Sequence, residues 1–208
     1  MAALVWGIFF SPAFALTSAR VTVTGADGDV RTEVLHAVGP FLGTPVPRLD
    51  TAAVESAVEG VTMVRDARVS RTWPDGLAVT VQERVAALVE KDGSGVALVD
   101  DEGVVLSHEG EAPAGLPVVV LPADGAERAR AAAAAASTWS ALSADLRGSV
   151  TQVSADGNLV TLTLSGGRTV RWGTDEDGEL KAEVLAVLLA QRAATVYDVS
   201  DPTRPVTS

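Results

Sequence analysis

The sequence predicts an α+β protein: an N-terminal membrane helix, a β-α-α-β-β unit, then a mixed β-sheet unit with helices on one face. Three observations lead there. An uncharged apolar run fills Ala2 to Leu16. Two helical apolar stripes and a hairpin pattern occupy the stretch to Arg84. Beyond it, short strands separated by Gly- and Asp-bearing turns alternate with two long helical stretches.

Composition narrows the function classes before any motif is considered. The chain has 208 residues, 47% of them hydrophobic but only 4% aromatic, so its core is built from Val, Leu and Ala. It has no cysteine, which removes disulfides and thiolate metal sites. A formal net charge of −11 argues against nucleic acid as a partner and against docking on anionic lipid through a basic face.

The apolar run ends before Arg20, the first charge in the chain. Its length falls slightly short of the roughly 20 residues that span a bilayer. It opens directly on Met1, without the basic flank of an inside anchor, so the anchor's start is expected to be truncated. The leading reading is a transmembrane segment over residues 1–17. A signal peptide with Ala13-Phe14-Ala15 as its cleavage site is the competing one, and Pro12 speaks against a buried soluble helix. Either leading reading places the remainder outside the cytoplasm.

The first unit is expected over residues 18–84. Val21 and Val23 alternate with Thr22 and Thr24 as a short strand. Val30, Val34, Leu35 and Val38 follow at helical spacing and stop at Gly39-Pro40. Asp50 is placed to cap a second helix, with Leu49 and Val54 as a hydrophobic staple and Val54, Ala57, Val58 and Val61 as its apolar stripe. Ala67 and Val69 face inward on the next strand, Arg68 and Ser70 outward. Pro74-Asp75-Gly76 turns the chain into a return strand through Leu77, Val79 and Val81. Trp73 is expected to pack beside this hairpin, and Arg65, Arg68 and Arg71 to be solvated.

The second unit is expected over residues 85–208. A meander runs through Val85–Glu90, Val96–Val99 and Val104–Leu106, and a buried strand follows over Leu116–Leu121. An Ala-rich helix spans Glu127–Leu146; its six consecutive alanines favour helix but offer little packing area. Strands at Val150–Val153, Asn158–Leu164 and Thr169–Trp172 precede a last helix over Asp175–Gln191. The final strands are Thr195–Ser200 and Arg204–Thr207.

Several of these stretches carry a resemblance. SARVTVTG, a helix, and then GTPVPRLDTAAVESAVEGVTMVRDARVSRTWPDGLAVTVQER resemble a POTRA domain of the type found in the FtsQ/DivIB family of bacterial division proteins. The WPDGL turn followed closely by Glu83-Arg84, just after a membrane segment, is its most specific part. ALVDDEGVVL, LPVVVLP, TLTLSGGRTVRWG and VYDVSDPTRPV resemble the family's β domain at lower specificity. The resemblance implies a single-pass type II protein of the cell membrane, enriched at the division septum, with its C-terminal domains extracytoplasmic. It implies a scaffold role that links early and late division proteins. The implied partners are FtsB, which pairs with FtsL, and other divisome proteins, and the implied binding mode is β-strand addition at the C-terminal sheet edge. Tyr197, Val199, Arg204 and Val206 are the expected partner-binding residues, Tyr197 for area plus a hydroxyl and Arg204 for charge-assisted bonds to an acidic partner. A POTRA-containing accessory of envelope assembly or secretion is the alternative, though such proteins usually add a β-barrel or further POTRA copies.

No enzyme, cofactor or metal site is expected. His36 and His108 fall in different units, and Ser94 lies outside a G-x-S-x-G pattern. The acids Asp175 to Glu179 have their glycine in the wrong place for an EF-hand and suit a helix start. Asp100, Asp101 and Glu102 are expected to face water.

Overall fold

The computed structural model describes residues 14–123 and 125–208. Up to Ala13, the expected membrane helix lies outside the described residues. No helix among the described residues is long and apolar enough to cross a membrane. The chain forms two compact units, divided between Val85 and Ala86.

The first unit contains β1 (Val21–Thr24), α1 (Gly28–Val38), α2 (Thr51–Glu59), β2 (Val64–Thr72) and β3 (Gly76–Glu83). β3 is the central strand, parallel to β1 and antiparallel to β2. Alternation turns Val21, Val23, Ala67, Val69, Leu77, Val79 and Val81 to one face, where they bury against Val34, Val38, Val54 and Val58 of the two helices. Each fully buried Val or Leu contributes about 1.5–3 kcal/mol. The Asp50 carboxylate accepts from the N–H groups of Ala52 and Ala53 at 3.1 and 3.3 Å, satisfying two donors of the first turn of α2. Leu49 and Val54 are both buried, as a staple requires.

Three details depart from expectation. Leu16, the end of the apolar run, is buried in this core; its N–H donates to Thr44 and its carbonyl accepts from Gly43, both at 2.9 Å. Arg71 is no solvated arginine: its guanidinium donates to the carbonyls of Val46 and Leu49 and stitches the loop before α2 to the sheet. Trp73 is not packed away but 66% exposed at the hairpin tip.

The second unit is a sheet of nine strands: β4 (Leu88–Asp92), β5 (Gly95–Val99), β6 (Val105–Glu109), β7 (Val118–Val120), β8 (Val150–Asp156), β9 (Leu159–Leu164), β10 (Thr169–Gly173), β11 (Val196–Asp198) and β12 (Val206–Thr207). Their spatial order is β12-β11-β10-β9-β8-β7-β4-β5-β6. β7 lies between β4 and β8 and is parallel to both, and β11 is parallel to β10. The helices are α3 (Gly125–Ala141), α4 (Ala144–Ser149) and α5 (Gly178–Gln191). Val153, Leu162, Leu164, Val170, Trp172, Tyr197 and Val199 are buried in one core with Leu146, Leu185 and the alanines of α3. The alternate positions Ser154, Thr161, Thr163, Arg171 and Asp198 face away from it.

The Ala-rich stretch behaves differently from its reading as packing-poor. Ala131, Ala132, Ala134 and Ala135 are all buried, and α3 packs on β8 and β9. Small side chains bring helix and sheet backbones close, so van der Waals contact replaces side-chain bulk. The expected continuous helix also breaks. The Ser143 hydroxyl accepts from Leu146 N–H and starts α4 afresh, while Arg147 donates back to the carbonyls of Trp139 and Ser140. α5 begins at Gly178, later than expected, because Asp177 has left-handed backbone dihedrals, with φ 54°. Asp100 is buried, its carboxylate accepting from the N–H groups of Glu102 and Val104 to close the β5–β6 turn.

Asp50→Ala is expected to destabilise the first unit by about 1 kcal/mol, whereas Leu77→Ala, at a fully buried position, costs about 2–5 kcal/mol. Urea denaturation, with amide exchange of Ala52 and Ala53 to localise the cap effect, checks the ranking.

Candidate functional site

Every open sheet has two borders, and in the second unit one of them is β12. Among the described residues it pairs on one side only, antiparallel to β11, with Tyr197 opposite Thr207 and Asp198 opposite Val206. Ser208 and Val196 exchange both of their main-chain bonds, at 3.0 and 2.9 Å. Antiparallel pairs alternate between bonded and non-bonded. Val206 therefore directs its N–H and carbonyl to β11, and Thr207 directs both of its groups outward. Pro205, just before the strand, has no N–H. The border thus offers the donor and the acceptor of Thr207.

This short strand is held from three directions. The Tyr197 hydroxyl donates to the Arg192 carbonyl at 2.8 Å and accepts from Ala194 N–H at 3.1 Å, which secures the link from α5 into β11. The N–H groups of Thr195 and Val196 both donate to the main-chain oxygen of Ser208 at 2.9 Å. Between β11 and β12, Asp198 accepts from Ser200 N–H and hydroxyl, and Asp201 accepts from Thr203 N–H and hydroxyl. These are successive Asx turns, in which a carboxylate substitutes for a backbone acceptor. Thr203 donation, helped by the Arg204 charge, holds the Asp201 carboxyl below the usual carboxylate range.

Beside this border the face of α5 is apolar. Leu180, Val184, Val187 and Leu188, with Glu183 at the margin, form with Pro205 a groove of ≈ 310 Å³. Leu180 and Val187 are 45% and 52% exposed, unusual for residues of their size.

The four residues expected to bind a partner divide by orientation. Val206, 61% exposed, and Arg204 are on the surface of the border. Tyr197 and Val199 are buried, at 1% and 0% exposure, so neither side chain is available to a partner on this geometry. Sequence reasoning missed the groove. Its signal was present in the spacing of Leu180, Val184, Val187 and Leu188, but that spacing reads equally as a core-facing stripe.

The family described as cell division protein FtsQ/DivIB, C-terminal, matches residues 87–201, and the family described as POTRA domain, FtsQ-type, matches residues 16–84. Cell division protein FtsQ of Mycobacteroides abscessus is 38% identical over 202 residues, covering 95% of this chain and 63% of that protein. FtsQ of Mycobacterium leprae is 35% identical over 203 residues, covering 95% and 57%. FtsQ of Streptomyces bingchenggensis is 36% identical over 198 residues, covering 89% and 74%. The chain thus spans about three fifths of the length of the mycobacterial relatives it matches. A solved structure of the major extracytoplasmic domain of DivIB from Geobacillus stearothermophilus matches 53% of the chain at 19% identity, with a TM-score of 0.37.

The lowered pKa of Asp201 sets a direction for pH dependence. Stabilisation of the β11–β12 turn is complete above the ordinary Asp value near pH ~4 and is lost as the pH falls through the lowered value. Protection of the Ser208 amide from exchange, relative to a free peptide at the same pH, is expected to fall over that acid window, since its N–H bonds to Val196. In Asp201→Ala that protection is expected to be low already at neutral pH.

Proposed function

The chain belongs to the FtsQ/DivIB family of cell-division proteins, and from that premise we propose that it is a non-catalytic divisome scaffold that captures a partner strand on β12. The observation carrying this reading is the outward N–H and carbonyl of Thr207 on a strand that pairs on one side only. An incoming strand would satisfy these groups and continue the sheet. Its alternate side chains would lie over the α5 groove and over the opposite face beside Val206. Apolar residues suit the groove, and Arg204 favours an acidic neighbour. The membrane-proximal segment of FtsB, paired with FtsL, is the proposed occupant.

In this reading Tyr197 and Val199 support the border and do not touch the partner. The apolar run before Phe14 anchors the chain in the cytoplasmic membrane, with both units extracytoplasmic. Anchoring confines them to a thin layer with similarly anchored partners, which raises effective concentration without new contacts. Enrichment at the septum follows from association with other divisome proteins.

One substitution separates edge capture from other modes. Thr207→Pro removes the outward N–H but none of the bonds that β12 makes to β11, so the protein's own stability should change little. Affinity for FtsB–FtsL, measured by co-purification and by titration, is expected to fall at least about tenfold, the equivalent of about 1.4 kcal/mol. Unchanged affinity, with Ser208 still protected from amide exchange, would dismiss strand addition at this border.

A further inference from the structure

We propose that the hairpin end of the first unit rests on the surface of a phospholipid bilayer, with Trp73 and Leu42 seated at the headgroup boundary. The proposal rests on the reading of the apolar run as a membrane anchor and adds how the first unit sits against that membrane.

The chain enters the unit without slack. Ala15 bridges to Pro45, and Leu16 exchanges backbone bonds with Gly43 and Thr44 while its side chain fills the core. A run anchored up to Phe14 therefore leaves no flexible linker between bilayer and fold. Whatever surrounds the entry point is held at the membrane surface.

Two exposed apolar side chains stand beside it. Among the described residues of the first unit, the exposed large hydrophobics are Leu42 at 38%, Trp73 at 66% and Val85 at 75%. Val85 marks the division between the units. The other two flank the entry: Leu42 precedes Gly43, which bonds Leu16, and the Trp73 ring lies 5.7 Å from that of Phe14. An indole left in water at a hairpin tip forgoes the burial of a large apolar surface. At the headgroup boundary its ring is buried while its N–H stays wet, which is why Trp concentrates there. Asp75, beside it, pairs with Arg20 at 3.4 Å, so the carboxylate at the tip is compensated when it approaches anionic headgroups.

The chain has no cysteine, so single nitroxide labels can be placed without background. The full chain is reconstituted in phospholipid nanodiscs with no other protein, carrying Trp73→Cys, Leu42→Cys or Glu59→Cys. Glu59 is exposed at the C-terminal end of α2, toward the end of the unit where β2 begins, and β2 runs roughly 25 Å from there to the hairpin. Labels at 73 and 42 are expected to lose collisions with a water-soluble nickel chelate and gain them with oxygen, while the label at 59 stays aqueous. If all three labels are aqueous although the protein remains in the discs, the seating is wrong and the anchor stands. If the protein does not enter the discs at all, the anchor reading fails and takes the seating with it.

Discussion

The way the last strand is hydrogen-bonded governs what the second unit can do. Ser208 and Val196 exchange both of their main-chain bonds, and antiparallel alternation leaves Thr207 facing out. A shift of one residue would turn Thr207 inward and expose Val206 in its place. Tyr197 and the two Asx turns hold the register, so the buried residues around the site act by keeping the border's open groups in position.

A border of this kind is a liability, and Pro205 blunts it. β12 has two residues, and Pro205 removes the donor that would otherwise begin it. Main-chain bonds alone would make a weak, unselective contact. The groove along α5 supplies the apolar complement that a specific partner needs. The aligned presentation of groove and border depends on α5 lying over the sheet, where Leu185 and Ala182 are buried beneath it.

Much of the first unit was legible because its signals are local. Val21, Val23, Ala67, Val69, Leu77, Val79 and Val81 have the period of a half-buried strand, and Asp50 with Leu49 and Val54 marks a helix start. Trp73 was misread because an indole is usually buried, and whether a hairpin tip has anything to pack against is settled by neighbours distant in sequence. Arg71 was misread for a related reason: its acceptors, the carbonyls of Val46 and Leu49, belong to a loop more than twenty residues earlier. The burial of the alanines in α3 was equally hidden, since composition does not say which surface a helix approaches.

The candidate site was half readable. The two short strands at Val196–Asp198 and Val206–Thr207 follow from the Asp201-Pro202 turn between apolar residues, and Arg204 and Val206 are on the surface. That Tyr197 and Val199 turn inward follows from the parallel pairing of β11 with β10, a contact across α5 that no local pattern encodes. Sequence by itself determined most of the elements, because periodicity, caps and turn chemistry act over a few residues, and its motifs carried the resemblance to the family. The tertiary structure alone decided strand order, which strand forms the border and which of its groups stay unpaired, because those depend on hydrogen bonds between segments far apart in the chain.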